Sequence, residues 1–269
     1  MFSRALVFSV LLTLLATFDG NPPRAARDSA ASLAGAPVEK GLEIPAGTIL
    51  PAKLDETLKV GAAKPGETLE ARIMQEVPLP GEAKIAFRSI ITGSVISAES
   101  DADGAGVSLT LRFDHLEYSG KTLSITTMLR AMASFASVRQ AETPYGGSFH
   151  GSPAGWANTV QIGGDIRYGD GGEVKNRAKI TVGKGVSGGV LVNVRANPEE
   201  GCEGPVGDDR PQALWLFSAD ACGLYGLKDV SVTRNGQAAP QGDITLHFRK
   251  SGSKLRAGTG MLFRVVARP

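Results

Sequence analysis

The sequence has few cysteines, histidines and aromatic residues, and no long run of charge of one sign. Two Cys, two Trp and three His occur among 269 residues, and the formal net charge is +2 at pH 7. A charge balance this close to zero argues against a general nucleic-acid binder, which needs a concentrated basic face. His115, His150 and His247 are isolated in the sequence, so none forms a metal-binding motif with a neighbouring ligand. We therefore predict no nucleic-acid partner, no metal and no cofactor.

The first twenty residues, by contrast, are strongly apolar. Arg4 precedes residues 5–18, which are dominated by Leu, Val and Phe and are followed by Asp19. This plan is typical of a secretory signal peptide, and the run is shorter than the roughly 20 residues of a membrane-spanning helix. We predict that residues 1–20 are a signal peptide, that the product is periplasmic or extracellular, and that no transmembrane helix is left after cleavage. The alternative is that the leader is retained as a short membrane anchor.

Two cysteines in an exported protein predict one disulfide bond. Cys202 and Cys222 would close a loop of about 20 residues, which stabilises a fold by roughly 3 kcal/mol in the chain-entropy description. A metal site on this pair is disfavoured, because no histidine lies nearby to complete a ligand set.

Short apolar runs separated by glycine and proline turns predict an all-β (mainly β) fold. Residues 107–114 alternate apolar and polar side chains, which is the period of a strand with one buried face. About a dozen such runs predict two barrel-like or sandwich-like units. We predict a disordered linker at 21–41, a β-barrel-like domain at 42–143, and a second β-rich domain at 144–269 that holds the disulfide.

One short helix is predicted between the two units, over about residues 127–140. Met128, Met132 and Phe135 recur at the spacing of one helical face, and no glycine or proline interrupts the segment before Pro144. The alternative is that residues 123–129 form one longer strand.

The tripeptide Ala-Gly-Thr occurs twice before an apolar run, at residues 46–48 and 257–259. Three matching residues are too few to establish a repeat. We interpret both segments as the same type of turn leading into a strand.

Residues 44–58, IPAGTILPAKLDETL, resemble the entry to the C-terminal β-barrel domain of the VirB10/TrbI family. Members of that family are envelope-spanning scaffold components of type IV secretion systems. The resemblance continues through residues 69–78 and 84–93 and covers about residues 42–126, and similar domains occur in other exported bacterial proteins. Residues 85–89, IAFRS, depart from it, because the family has an apolar-Pro-x-Gly-(Thr/Ser) turn at this place. The resemblance implies a β-barrel fold and an envelope setting for the first half of the chain.

A catalytic serine is a minor candidate. Ser187 lies in a G-x-S-x-G sequence at residues 185–189, and His247 follows in the chain order of an α/β-hydrolase triad. The nucleophile elbow needs a helix after the serine, whereas residues 188–194 are typical of a strand. We therefore favour a glycine-rich hairpin turn at Ser187.

The segment that joins the two predicted domains combines aromatic and small polar residues. Its candidate binding residues are Tyr145, Phe149, His150 and Trp156. Exposed rings beside small polar groups can form a platform for a carbohydrate or a peptide. Burial of the same rings between two domains is the structural interpretation, and we favour it because apolar rings tend to be buried.

Together these patterns favour an exported bacterial cell-envelope protein with a non-enzymatic binding or scaffolding role. One alternative is a secreted hydrolase or carbohydrate-active protein that uses the second domain. Another is a subunit of an envelope secretion assembly, which depends on the resemblance alone. Envelope proteins and cell-wall glycan are the candidate partners.

Overall fold

The computed structural model describes residues 43–143, 159–167, 171–194, 210–233 and 242–267. These residues form twenty strands and one helix, which confirms the predicted all-β fold. In chain order the elements are β1 (Ile49–Leu54), β2 (Leu58–Lys59), β3 (Thr68–Ile73), β4 (Val77–Pro78), β5 (Lys84–Ile85), β6 (Ile90–Ser100), β7 (Val107–Tyr118), β8 (Lys121–Ser124), β9 (Thr127–Ala133), α1 (Phe135–Glu142), β10 (Thr159–Val160), β11 (Ile166–Arg167), β12 (Glu173–Lys175), β13 (Thr181–Val186), β14 (Gly189–Val192), β15 (Gln212–Ala213), β16 (Gly223–Tyr225), β17 (Val230–Thr233), β18 (Asp243–Phe248), β19 (Lys254–Leu255) and β20 (Gly260–Val265).

Ten of these strands form a large sheet that closes almost into a barrel. Their order is β16-β9-β20-β1-β3-β6-β7-β18-β17, and β8 pairs with β7. Neighbouring strands are antiparallel except for β16 and β9, which are parallel. Strands β16, β17, β18 and β20 follow residue 144 in the chain, so the predicted division at that residue does not separate two sheets. The end of the chain instead completes the sheet that the first half begins.

The longest hairpin, β6–β7, shows how the sequence builds the inside of this sheet. Val107, Leu109, Leu111 and Phe113 are buried, and the side chains between them are partly exposed. This is the alternation predicted from the sequence. Phe113 packs against Phe263 of β20 with the ring centroids 4.9 Å apart. Because β7 and β20 are not neighbours in the sheet, this contact crosses the barrel interior.

The segment of the chain between β9 and β16 covers part of the outside of the barrel. It contains α1 and a second, antiparallel sheet with the order β10-β11-β12-β13-β14-β15. A second apolar core lies between the two layers, where Ala131 and Leu262 of the barrel meet Trp215 and Phe217 of the covering segment. As a result β20 is buried on both faces and its sequence shows no polar alternation.

The predicted helix over about residues 127–140 is wrong in its first half. Residues 127–133 form strand β9, and the helix begins at Phe135, after Ser134. The Ser134 hydroxyl accepts a hydrogen bond from the N–H of Ser137 at 3.1 Å and so caps the helix. Strand β9 is buried on both faces, and such a strand has no two-residue period that could have distinguished it from a helix. No helix among the described residues has the length and apolar character to span a membrane.

Four strands of the barrel begin with the same turn. Residues 45–48, 64–67, 86–89 and 256–259 precede β1, β3, β6 and β20, and in each the fourth N–H donates to the first carbonyl. The third N–H also donates to a carbonyl of the neighbouring strand, and the third residue has a positive φ. The interpretation of the two Ala-Gly-Thr segments as one type of turn is confirmed. The same turn also occurs at two places without that tripeptide.

Arg88 occupies the turn position that glycine occupies in the other three turns. Its φ is +70°, a region that costs an L-residue about 1–2 kcal/mol. The segment in which the sequence departs from the VirB10/TrbI pattern therefore still forms the turn, although it contains neither the proline nor the glycine. Both Phe87 and Arg88 are exposed at its tip.

Candidate functional site

The two catalytic candidates lie in different sheets. His247 is on β18, where Nδ1 contacts the hydroxyl of Ser108 at 2.8 Å and Nε2 contacts that of Thr233 at 2.8 Å. Both ring nitrogens are thus engaged by hydroxyls of the adjacent strands, and Ser187 is not among the partners. In the part of the chain that the structure describes, no group of three His, Cys, Asp or Glu side chains could hold a metal ion.

Ser187 lies in the turn between β13 and β14. Val186 pairs with Gly189, so Ser187 and Gly188 form a two-residue hairpin, and Gly188 has a φ of +81°. A strand follows the serine, not the helix that a nucleophile elbow requires. The glycine-rich hairpin turn favoured from the sequence is therefore the structure found here.

Most of the other predicted site residues lie outside the described residues. These are Tyr145, Phe149, His150, Trp156 and Cys202. Cys222 is described, and it is buried immediately before β16. The aromatic platform and the disulfide between Cys202 and Cys222 stay predictions.

A cavity of about 310 Å³ lies beside α1 and is the candidate functional site. Its described lining comes from α1 and the following Thr143, from residues 160–163, and from Tyr225 at the end of β16 and the following Gly226. Segments distant in sequence meet here because β16 pairs with β9, and α1 follows β9 directly. The parallel pairing of β16 and β9 therefore brings Tyr225 and Gly226 close to α1, so that they line the same cavity.

Two glycines allow the walls to approach closely. Gly226 has a φ of +66°, and a Cβ atom there would overlap with the hydroxyl of Ser137 and lie 2.6 Å from that of Ser134. Gly163 has a φ of +103°, and its Cβ would lie 3.2 Å from Cα of Ala221. Larger residues would separate the walls and disturb the cavity.

The described lining of the cavity mixes polar and apolar side chains and contains no charged one. Its polar side chains are the hydroxyls of Ser137, Thr143 and Tyr225 and the amides of Gln140 and Gln161, and the remaining lining is aliphatic or glycine. The lining residues therefore offer hydrogen bonds without an ionic partner for a charged ligand.

Gln161 is the most deeply buried polar residue of the lining, with 4 % of its surface exposed. Its Nε2 donates a hydrogen bond to the carbonyl of Phe217 at 3.0 Å. Its Oε1 is buried and accepts no hydrogen bond from the described residues. Leaving such an acceptor unpaired costs about 1–3 kcal/mol.

Reasoning from the sequence missed this cavity. Gln161 lies within a short apolar run at residues 159–162. A glutamine in such a run was the one feature of the local sequence that could have indicated the cavity. The other walls are contributed by residues more than 60 positions later and about 20 positions earlier, and no motif links them.

Comparison with protein-family models, curated proteins and solved structures gave no match. The resemblance of residues 42–126 to the VirB10/TrbI family therefore stays a prediction. What the protein does must be argued from the sequence and from the geometry of the described residues.

Proposed function

We propose that the protein is an exported bacterial cell-envelope protein that acts by binding a small neutral ligand in the cavity beside α1. The observation that carries this proposal is a cavity of about 310 Å³ whose described lining combines aliphatic side chains with hydroxyl and amide groups and contains no charged side chain. Small-molecule sites are typically concave, largely preformed, and supplied with a few well-placed polar groups. The cavity beside α1 is concave and has hydroxyl and amide groups in its wall.

The size and chemistry of the lining restrict the ligand. Ligand pockets have volumes of about 300–1,000 Å³, so a cavity of about 310 Å³ accommodates one ring-sized group and not a long polymer segment. A charged ligand would lose its hydration without gaining an ionic partner from the described lining, which is strongly unfavourable. The ligand is therefore small and neutral.

The placement of the catalytic candidates supports binding over catalysis. Ser187 is at an exposed hairpin tip and His247 is hydrogen-bonded to Ser108 and Thr233, so the pair does not form a nucleophile and its base. The hydrolase alternative has no support from these two residues.

Blocking the cavity tests the binding proposal. Val160 lines the cavity and is 52 % exposed, so Val160→Trp should fill the entrance without disturbing the core. We expect neutral sugars and amides to bind the wild-type chain in an NMR titration, and Val160→Trp to weaken binding at least tenfold. The matched control is Ile180→Trp, at a residue 60 % exposed and outside the cavity, which should bind as the wild type does. Equal binding by Val160→Trp, or preferential binding of charged compounds, would contradict the proposal.

Export is tested separately by fractionating bacteria that express the full chain. We expect the protein outside the cytoplasm, shortened at its N-terminus by about 20 residues, with Cys202 and Cys222 inert to a thiol reagent until they are reduced. Mass spectrometry of the intact protein measures both properties. Full-length protein in the cytoplasm with two reactive thiols would show that the proposed location is wrong.

A further inference from the structure

We propose that the ligand of the cavity beside α1 is a short neutral peptide, one residue of which pairs with the backbone of Val160 as an added strand. This proposal rests on the proposed function and adds the chemical class of the ligand. It depends on β10, an edge strand of the second sheet, because Val160 of β10 also lines the cavity. A strand edge with unpaired N–H and C=O groups is a template for an extended peptide.

The backbone of Val160 points to the open edge of β10. Among the described strands of the second sheet, β11 is the one neighbour of β10. The N–H of Gln161 donates to the carbonyl of Asp165 at 2.8 Å, so Gln161 directs its N–H towards the β11 side of this hairpin. Successive residues of an antiparallel strand direct their backbone groups to opposite sides. The N–H and C=O of Val160 therefore point away from β11, and neither has a partner among the described residues.

Ile162, two residues after Val160, shows that this edge pairs with main chain. The N–H of Ile162 donates to the carbonyl of Leu216 at 2.9 Å, and its carbonyl accepts the N–H of Ser218 at 2.8 Å. These two bonds form a parallel bridge to Phe217. Because Val160 and Ile162 direct their backbone groups to the same side, the edge beside Val160 continues a place that already holds an extended segment.

The segment that pairs with Ile162 does not reach as far as Val160. Continuing the parallel register by two residues would place Trp215 opposite Val160. Trp215 instead has a φ of +52°, and its N–H donates to Oε1 of Gln75 at 2.6 Å. No described residue therefore pairs with the backbone of Val160, which leaves room there for one extended residue of a ligand.

The cavity lies on this edge of β10. Its described lining includes residues 160–163 and no residue of β11, so it does not lie over a face that the two strands share. The opposite wall is α1, which contributes Ser137, Gln140 and Ala141. The site is thus a groove between an edge strand and a helix. In such a groove, strand pairing holds the peptide backbone and a pocket receives one of its side chains.

The lining favours a small, uncharged peptide side chain. Ala141, Val160 and Ile162 contribute apolar surface, so burial of a methyl or isopropyl group there is favourable. A charged side chain would lose hydration without an ionic partner from the described lining. A cavity of about 310 Å³ accommodates one such residue, so the rest of a longer peptide would lie outside it.

An NMR titration of the full chain with two isomeric compounds tests the role of the ligand N–H groups. N-acetylvaline N-methylamide contains one residue with both amide N–H groups, whereas its isomer N-acetyl-N-methylalanine N,N-dimethylamide has the same two carbonyls and no N–H. We expect the isomer without N–H to bind at least about tenfold more weakly, because it leaves the carbonyl of Val160 unpaired. The amide hydrogen of Val160 should also exchange at least about tenfold more slowly in the complex with the valine compound.

Val160→Pro tests the protein side of the same pair, because proline has no N–H to donate. Proline is tolerated in an edge strand where the N–H faces outwards, so this variant should melt as the wild type does and bind the valine compound at least about tenfold more weakly. The matched control is Val160→Thr, which keeps the N–H and the branched shape and should bind within about twofold of the wild type. Unchanged binding by Val160→Pro would overturn the proposal. If Val160→Pro is unfolded, the two isomers and the exchange of the Val160 amide decide.

The outcomes separate this proposal from the proposed function. Equal binding of the two isomers at a site sensitive to Val160→Trp would overturn the peptide assignment and leave the proposed function standing. Tighter binding of methyl β-glucoside than of the valine compound at that site would also overturn the peptide assignment, in favour of a sugar. Failure of every neutral compound to bind would overturn both.

Discussion

Replacing Gln75 with leucine is expected to lower the free energy of unfolding by about 3 kcal/mol or more. Gln75 follows β3 and is 1 % exposed. Its Nε2 donates to the carbonyl of Val190 at 2.8 Å, and its Oε1 accepts from the N–H groups of Val190 at 3.2 Å and of Trp215 at 2.6 Å. One barrel side chain thus satisfies three buried backbone groups of the covering layer. Leucine would leave the N–H groups of Val190 and Trp215 unpaired, at about 1–3 kcal/mol each, whereas the carbonyl of Val190 would keep the hydrogen bond from the N–H of Leu214 at 3.2 Å.

Urea denaturation measures this loss, and Glu76→Gln is the matched control. Glu76 is the next residue, but it is exposed and its ion pair with Lys84 is on the surface, so its replacement should change stability by less than about 1 kcal/mol. Hydrogen exchange locates the effect, because the amides of Val190 and Trp215 should lose protection first. A change in Gln75→Leu no larger than in Glu76→Gln would contradict this role.

The same contact explains a motif that resembled a catalytic one. Gly189 is the last glycine of the G-x-S-x-G sequence, and a Cβ atom there would overlap with Oε1 of Gln75 and lie 2.6 Å from Cα of Trp215. The glycine is therefore required for close packing of β14 on the barrel. Its spacing from Ser187 gives no information about chemistry.

Part of the local structure was predictable from the sequence, and the closure of the barrel was not. The hairpin β6–β7 and the turns at residues 46–48 and 257–259 depend on side-chain alternation and on glycine at a positive φ, both of which are local properties. Strand β20 pairs with β1 across about 200 residues, and β16 joins β9 across about 90. Pairings of that range have no local signal, so the division at residue 144 did not coincide with the sheets.

The candidate site depends on the same long-range pairings. α1, Gln161 and Tyr225 are ordinary in their own segments, and they form a cavity only because β16 lies beside β9. The sequence analysis instead singled out Ser187 and His247, which the fold places in different sheets. Short motifs predict chemistry only when the elements around them also have the required structure.

Replacing Gly93 with alanine is expected to destabilise the barrel by about 3 kcal/mol, the second large effect. Gly93 interrupts the apolar run of β6 at a change of register, where Thr92 pairs with His115 and Gly93 pairs with Phe113. Glycine within a strand is typical of a bulge or of a close backbone approach. A Cβ atom at this position would overlap with the carbonyl oxygen of Arg112 and would lie 2.7 Å from Cδ1 of Phe113.

The overlap at Gly93 cannot be relieved by a side-chain rotation, because its first partner is a backbone carbonyl whose strand is paired on both sides. Any shift of Phe113 also moves the ring of Phe263, which contacts it across the interior. Gly252→Ala is the control, since a Cβ there would meet nothing within 4 Å, and we expect a change within about 0.5 kcal/mol. Both variants are compared with the wild type by urea denaturation. Similar midpoints for Gly93→Ala and Gly252→Ala would mean that the hairpin adapts and that the glycine is not required for the register of β6 on β7.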